Sequence, residues 1–496
     1  MATSPAYSRF TARLPGAASV IAFVTLVLVV IRAVRTVDPY WDTLAYHWPF
    51  AARVVGLCGP DCYAWTPVME RRYEGFPLLL HALQGAMWRL TGTPGMADLI
   101  NVGAILGLCF YLKRRFVVPV SWSWLAFLAI PLVQVHLSGT YVDVPLNAAV
   151  TIALMVALRM LVFPGADQRV DVGIALASLV FAAGSKFQMV PIALLTWLCI
   201  VVLATRTPSS VGFNSRVTAF TVLAVGGYVL MTSKLILNAI AFGNPFYPIA
   251  AAFGPLHWTA PEGMQAANSI SDQWLDSPAP LRWLASVLEY DAFRGRPIPW
   301  TIDQGDVQQS SQSFRMGGYF VPYVLGAVAL LWWSARLSAA ARWPVALVLA
   351  LSLICASAPA AHELRYYLFW MLSLLSVVLV VAHSPAFASA RQPLQRSITY
   401  SLISIALASV IAMTGAAYLK TKGLRLRDLV HPTDAIVAQV PEGGTLCIVN
   451  ARNDAFLYAS VFHPPRHYQT RVLGGGESAD CSIRFDPEQK KAGAER

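Results

Sequence analysis

Apolar stretches nearly free of charge recur along the whole chain, and each is closed on one side by arginine or lysine. A helix needs about 20 apolar residues to cross the hydrocarbon core of a bilayer. Backbone polar groups exposed to lipid must be satisfied within the segment itself, so such stretches fold as helices. With 56% hydrophobic and only 13% charged residues among 496 and a mean hydropathy of +0.54, the chain reads as an all-α polytopic membrane protein. The net charge of +11 is spread singly or in short clusters between apolar stretches, the positive-inside pattern, and implies no nucleic-acid partner.

Eleven spans are expected, at about 18–34, 97–112, 119–136, 143–161, 172–184, 189–205, 217–240, 318–334, 343–358, 366–383 and 398–419. Arg9 and Arg13 place the N-terminus in the cytoplasm, and no cleavable signal peptide is expected, because the first apolar run ends at Arg32 and Arg35. The first outer loop is then 36–95. Its segment Gly75 to Leu90 is apolar, yet the Lys113-Arg114-Arg115 cluster faces inward only if that segment lies flat as an interfacial helix. A long outer loop follows at 241–317, opening on the turn formers Gly243-Asn-Pro-Phe-Tyr-Pro248. On this topology only Asp167 and Asp171 among the carboxylates fall inside. The transmembrane domain is 1–419, a small soluble extracytoplasmic α/β domain is 420–486, and 487–496 is a disordered tail. In that soluble part Thr433–Val440 and Asp454–Phe462 read as helices and Thr445–Val449 as a strand. Cys109, Cys199 and Cys355 lie in apolar spans. Cys58 with Cys62, and Cys447 with Cys481, lie in polar segments and suit disulfides in an oxidising compartment.

The polar residues crowd into the first outer loop. Asp42 precedes Thr-Leu-Ala, with Tyr46 on the same helical face at i+4, His47 one step round and Pro49 limiting the helix to a turn or two. Asp42 suits a helix N-cap, and equally a general base, since one role does not exclude the other. Asp143 heads the fourth span and suits a cap stabilised by the helix dipole. Lys186 and Arg365 reach the same membrane face; cations there snorkel to headgroups, or bind the phosphate of a lipid-linked substrate. Glu70-Arg71-Arg72-Tyr73-Glu74 reads as a solvated charged turn, His81 as a packed histidine, and His362-Glu363 is too short a signal for a metal.

This pattern resembles the GT-C superfamily of integral-membrane glycosyltransferases, especially its protein O-mannosyltransferase and aminoarabinose-transferase branch. The residues that carry the likeness are WDTLAYHWPFA (41–51), EGFPLLLHALQG (74–85) and TYVDVPLNAAV (140–150), supported by AAGSKFQMVPIALL (182–195) and HELRYYLFW (362–370). The resemblance covers roughly the first 205 residues by motif and the rest by topology. It implies a multi-pass protein of the inner membrane that moves a sugar from a polyprenyl-phosphate donor to a lipid, glycan or protein acceptor. Asp42 is then the catalytic carboxylate, as base or metal-site acid, with Asp143, Lys186, Arg365, Tyr46 and His47 binding substrate. No organic cofactor is implied, and a divalent metal stays open, because Asp42-Thr43 and Gly75-Phe-Pro-Leu78 depart from the mannosyltransferase Asp-Glu and His-Pro-Pro-Leu. A transporter or flippase, or an O-antigen polymerase or ligase, is the alternative; no inverted repeat with matched broken helices favours transport.

The topology makes a direct prediction. A reporter fused after Thr421 should register as extracytoplasmic, and cytoplasmic reporter activity there overturns both the count of eleven and the flat reading of Gly75 to Leu90.

Overall fold

The structure, a computed structural model, describes residues 5–39, 41–163, 168–206, 213–253, 255–261, 276–288, 318–450, 453–474, 477 and 479–487. Asp167, most of the long loop and the expected tail beyond residue 487 lie outside the described residues.

The chain is mostly helix. In order come α1 (Pro5–Arg35), α2 (Trp48–Val54), α3 (Pro67–Gly75), α4 (Leu79–Thr91), α5 (Leu99–Phe116), α6 (Val120–Leu128), α7 (Pro131–Leu137), α8 (Asp143–Val162), α9 (Arg169–Ala183), α10 (Val190–Arg206) and α11 (Phe213–Phe242). Four further apolar helices follow, Val321–Leu337, Arg342–Ser357, Phe369–His383 and Gln392–Met413. All eleven expected apolar stretches are therefore helical, and the protein is an integral membrane protein. Among the described residues seven helices are long and apolar enough to cross a bilayer, or eight if the bent pair α6–α7 is one span.

That bent pair departs from the straight third span expected at 119–136. The two halves meet at 96°. Pro131 has no N–H to give and forces the residue before it out of helical geometry, so Ile130 is extended at ψ 116. The Gln134 side chain donates to the freed carbonyl of Leu128 at 2.7 Å. The apolar segment of the first loop is one helix, α4, as expected, whereas the charged stretch at 70–74, expected as a turn, lies in a helix of its own, α3. At 13 residues, α4 is too short to span, and it rests on α2. A Cβ on Gly85 would sit 2.1 Å from the carbonyl oxygen of Ala51, so glycine there is what lets the two helices touch.

One buried carboxylate ties three helices at the end of the bundle rich in arginine. Asp171, at the start of α9, has no exposed side-chain surface; it pairs with Arg115 of α5 at 2.9 Å and with Arg159 of α8. At the opposite end the C-terminal segment forms a parallel sheet in the order Tyr63–Ala64, Gln469–Leu473, Thr445–Val449, Ile483–Phe485. Its first strand belongs to the first loop, so the sheet crosses the expected boundary at 420. The Thr470 amide donates to the Cys62 carbonyl at 3.2 Å, and one aromatic cluster holds Trp48, Phe50, Trp65 and Trp88 together with Phe456 and Phe462. Disulfides join Cys58 to Cys62 and Cys447 to Cys481, with Cα separations of 5.4 and 5.7 Å.

Two soluble elements differ from expectation. The helix expected at Thr433–Val440 runs from Leu426 to Val437, because the Asp428 carboxylate accepts from the Arg425 amide at 3.1 Å and starts it earlier. The helix expected over Asp454–Phe462 is instead two 3₁₀ turns, Asn453–Tyr458 and Ser460–Phe462. Phe456, Ala459 and Phe462 pack together with residues of the first loop.

Asp171→Ala should destabilise the protein by about 3 kcal/mol, the scale for stranding buried charges. Thermal unfolding in detergent measures it; an unchanged midpoint would show that the three helix ends do not depend on this carboxylate.

Candidate active site

The π-helical turn Thr43–His47 begins the site. Asp42 in front of it has helical dihedrals, φ −58 and ψ −41, and its side chain makes no capping hydrogen bond. The capping alternative is thus not what the carboxylate does. Its Oδ2 instead accepts from Arg365 Nη1 at 3.1 Å. The extra residue of a π turn rotates the side chains that follow it, and here Tyr46 and His47 both come to the polar cluster.

Arg365 spends its guanidinium three ways. Besides Asp42, its Nε donates to Glu363 at 3.0 Å and its Nη2 to the Tyr366 hydroxyl at 3.3 Å. The turn that carries it, Leu364–Tyr367, is fastened to α8 by Asn147. That side chain donates to the carbonyls of Asp143 at 2.7 Å and Arg365 at 3.0 Å, and accepts from the amide of Phe369 at 2.8 Å. Asp143, in the first turn of α8, receives Lys186 Nζ at 2.6 Å. The aromatic rings join the two ion pairs. Lys186 Nζ lies 4.0 Å from the centre of the Tyr366 ring, while the Arg365 guanidinium lies 5.0 Å from that ring and 5.6 Å from the ring of Tyr141.

All six residues singled out from the sequence, Asp42, Tyr46, His47, Asp143, Lys186 and Arg365, therefore meet in one cluster. The structure adds Glu363, Tyr366 and Tyr141. Glu363 stands two residues before Arg365, a carboxylate next to a cation in an otherwise apolar region, and that adjacency is the signal that marks it in the sequence. Tyr141 carries no such signal. It is placed by Asn101, whose amide donates to the carbonyls of His136, Gly139 and Tyr141 at 2.7, 2.7 and 3.2 Å. The charged stretch at 70–74 is less solvated than expected: Glu70 pairs with Arg53 at 2.5 Å, and the Arg53 guanidinium lies over Trp65 and Tyr73 at 4.8 and 4.6 Å.

Three carboxylates face two cations in this cluster, and all five side chains are at most 17% exposed. Burial, opposed by Asp143, holds the Lys186 ammonium below its usual pKa. For Arg365 burial pulls downward too, but Tyr366, Glu363, Asp143 and Asp42 outweigh it and its pKa stands well above the ordinary value. Burial first and Asp42 second raise the Tyr46 phenol. Arg365 is thus fixed as a cation, and three carboxylates against two cations leave one negative charge over. As a metal site the cluster is a poor fit: each carboxylate is engaged by a side-chain cation, and no group of three or more His, Cys, Asp or Glu among the described residues could hold an ion.

His81 of α4 is buried as expected, and its Nε2 is hydrogen-bonded to Nδ1 of His47 at 2.9 Å. Burial, followed by His81 and then Lys186, keeps His47 well below the usual imidazole pKa. Burial and then Lys186 lower His81 to about 3.

No protein-family model matches the chain, and no curated protein matches it. Its fold is similar to that of ArnT from Cupriavidus metallidurans in the apo state. That likeness covers 96% of this chain and 87% of that one, with a TM-score of 0.51 at 15% identity. The archaeal oligosaccharyltransferase AglB from Archaeoglobus fulgidus, in complex with an inhibitory peptide and a dolichol-phosphate, aligns over 90% of this chain and 63% of its own at 12% identity, with a TM-score of 0.41. The chain therefore has an ArnT-like fold.

The histidine pair sets a sign for acid stability. A pKa lowered on folding means that the unfolded chain binds the proton better, so stability is full above about pH 6.5 and is lost as the pH falls toward 3. His81 alone should remove about 2 kcal/mol between pH 7 and 5. His81→Gln should flatten that part of the profile, and an unchanged acid slope in the variant would show that His81 is not its source.

Proposed function

We propose that this protein is a membrane glycosyltransferase that moves a sugar from a polyprenyl-phosphate donor to a cell-envelope acceptor on the extracytoplasmic face of the inner membrane, with inversion. The observation that carries the reading is the Asp42–Arg365–Glu363 chain lying beside the Asp143–Lys186 pair at the loop end of a polytopic bundle. A polyprenyl chain is held in the bilayer by about 0.8 kcal/mol per buried methylene, so its phosphate must be met where such a cluster lies. The ArnT-like fold supports the reading.

The chemistry follows from the charges. A lipid phosphate entering the cluster offers Arg365 and Lys186 stronger anionic partners and competes with Asp42 for the guanidinium. Asp42 is released as a base. It takes the proton of the acceptor hydroxyl as that oxygen forms its bond to the anomeric carbon, and the bond from that carbon to the phosphate oxygen breaks. The electron pair leaves on the phosphate, against Lys186 and Arg365. Displacement from the opposite face inverts the anomeric carbon, without the covalent sugar intermediate of retaining glycosidases. Asp143 holds Lys186 in place.

Asp42→Asn keeps the size of the side chain and loses the basicity. It should accumulate in the membrane at the normal level and transfer sugar slower by about two orders of magnitude or more, whereas Asp143→Asn should retain part of the activity. Mass spectrometry of envelope glycans with and without the protein identifies sugar and acceptor. A fully active Asp42→Asn protein would remove Asp42 from the role of base, and envelope glycans unaltered by loss of the protein would overturn the proposed activity.

A further inference from the structure

The buried imidazole pair is not used by the chemistry above, and two of its hydrogen-bonding positions are unfilled. His47 is 1% exposed and His81 3%. They satisfy one another through a single hydrogen bond of 2.9 Å. That leaves His47 Nε2 and His81 Nδ1 buried with no hydrogen-bond partner. A buried polar atom left unpaired is costly, and packing of α4 on α2 through Gly85 holds the pair in this arrangement. The His47 ring lies 5.7 Å from the Tyr141 ring, over which Arg365 sits, and the charge of Lys186 acts on both imidazoles.

We propose that His47 Nε2 is a third phosphate donor of the site, beside Lys186 and Arg365, and that His81 is the positioning residue that fixes its tautomer. This rests on the lipid-phosphate reading and deepens it. Burial and neighbouring cations keep both rings neutral, so the pair brings an N–H and no extra charge. A phosphate oxygen only accepts. Nε2 of His47 must then carry the hydrogen, its Nδ1 must be the acceptor within the pair, and His81 must donate from its own Nε2. A neutral donor here adds direction to a site whose two cations are already shared with Asp42, Glu363 and Asp143.

The test uses the full-length protein in detergent, with farnesyl phosphate as the probe and farnesol as its uncharged control. Wild type should bind the phosphate and not the alcohol. His47→Phe and His81→Phe, which keep the packing, should bind farnesyl phosphate roughly tenfold more weakly or worse. His81→Gln can still donate to His47 Nδ1 and should recover most of the affinity. In the wild-type protein labelled with ¹⁵N-histidine, which needs no variant to fold, one Nε2–H imidazole should shift on addition of farnesyl phosphate. Lys186→Ala separates the two readings. If Lys186→Ala loses the probe while both phenylalanine variants hold it normally and no imidazole shifts, the histidine inference is overturned and the phosphate site stands. If wild type does not distinguish farnesyl phosphate from farnesol, the phosphate site falls and the inference with it.

Discussion

The guanidinium of Arg365 is the group on which the loop end of this bundle depends. A planar fork can serve Asp42, Glu363 and the Tyr366 hydroxyl at once, which a point charge on a lysine stem cannot do. Each partner comes from a different constraint. Asp42 precedes a π turn, Glu363 opens the same short turn as the arginine, and Tyr366 is shared with Lys186. Asn147 then fixes the arginine's own backbone to α8. The charges are expensive to bury singly, and their mutual pairing is what allows a site this polar at the edge of an apolar bundle.

Around this centre the polypeptide is cross-braced by parts that are remote in sequence. The strand Tyr63–Ala64 completes the C-terminal sheet, and Phe462 lies 6.0 Å from Trp48 and 5.7 Å from Trp88. The turn that presents Asp42, Tyr46 and His47 is therefore backed by the C-terminal segment and by α4. At the far end Asp171 draws together α5, α8 and α9. Asp171 thus holds one end of α8 through Arg159 and Asn147 ties the other to the Arg365 turn, so Asp143 is positioned by several helices rather than by one loop.

Much was legible from the chain alone because the rules that apply are local. Apolar length fixes which segments become helices, since lipid offers the backbone no other partner. Cysteines in polar segments pair, while those in spans stay single. A carboxylate or cation at the mouth of a span draws attention because it must be solvated, paired or used, and that reasoning reached Asp42, Asp143, Lys186 and Arg365 from their neighbours in sequence. The break at Pro131 is also written locally, within an apolar length that otherwise suits one straight span.

What only the tertiary structure decided is who partners whom. Asp42 and Arg365 are 323 residues apart, and nothing in either neighbourhood encodes the other. Whether Asp42 caps a helix or meets a cation depends on which lies nearer, and a guanidinium delivered by a distant turn wins over the amides of its own turn. His81 reads as an ordinary packed histidine until α4 is laid on α2 and brings it to His47. Sequence determines which groups cannot be left alone in an apolar setting; folding determines the neighbour that relieves each of them, because hydrogen bonds and ion pairs act over a few ångströms and chain connectivity does not specify those distances.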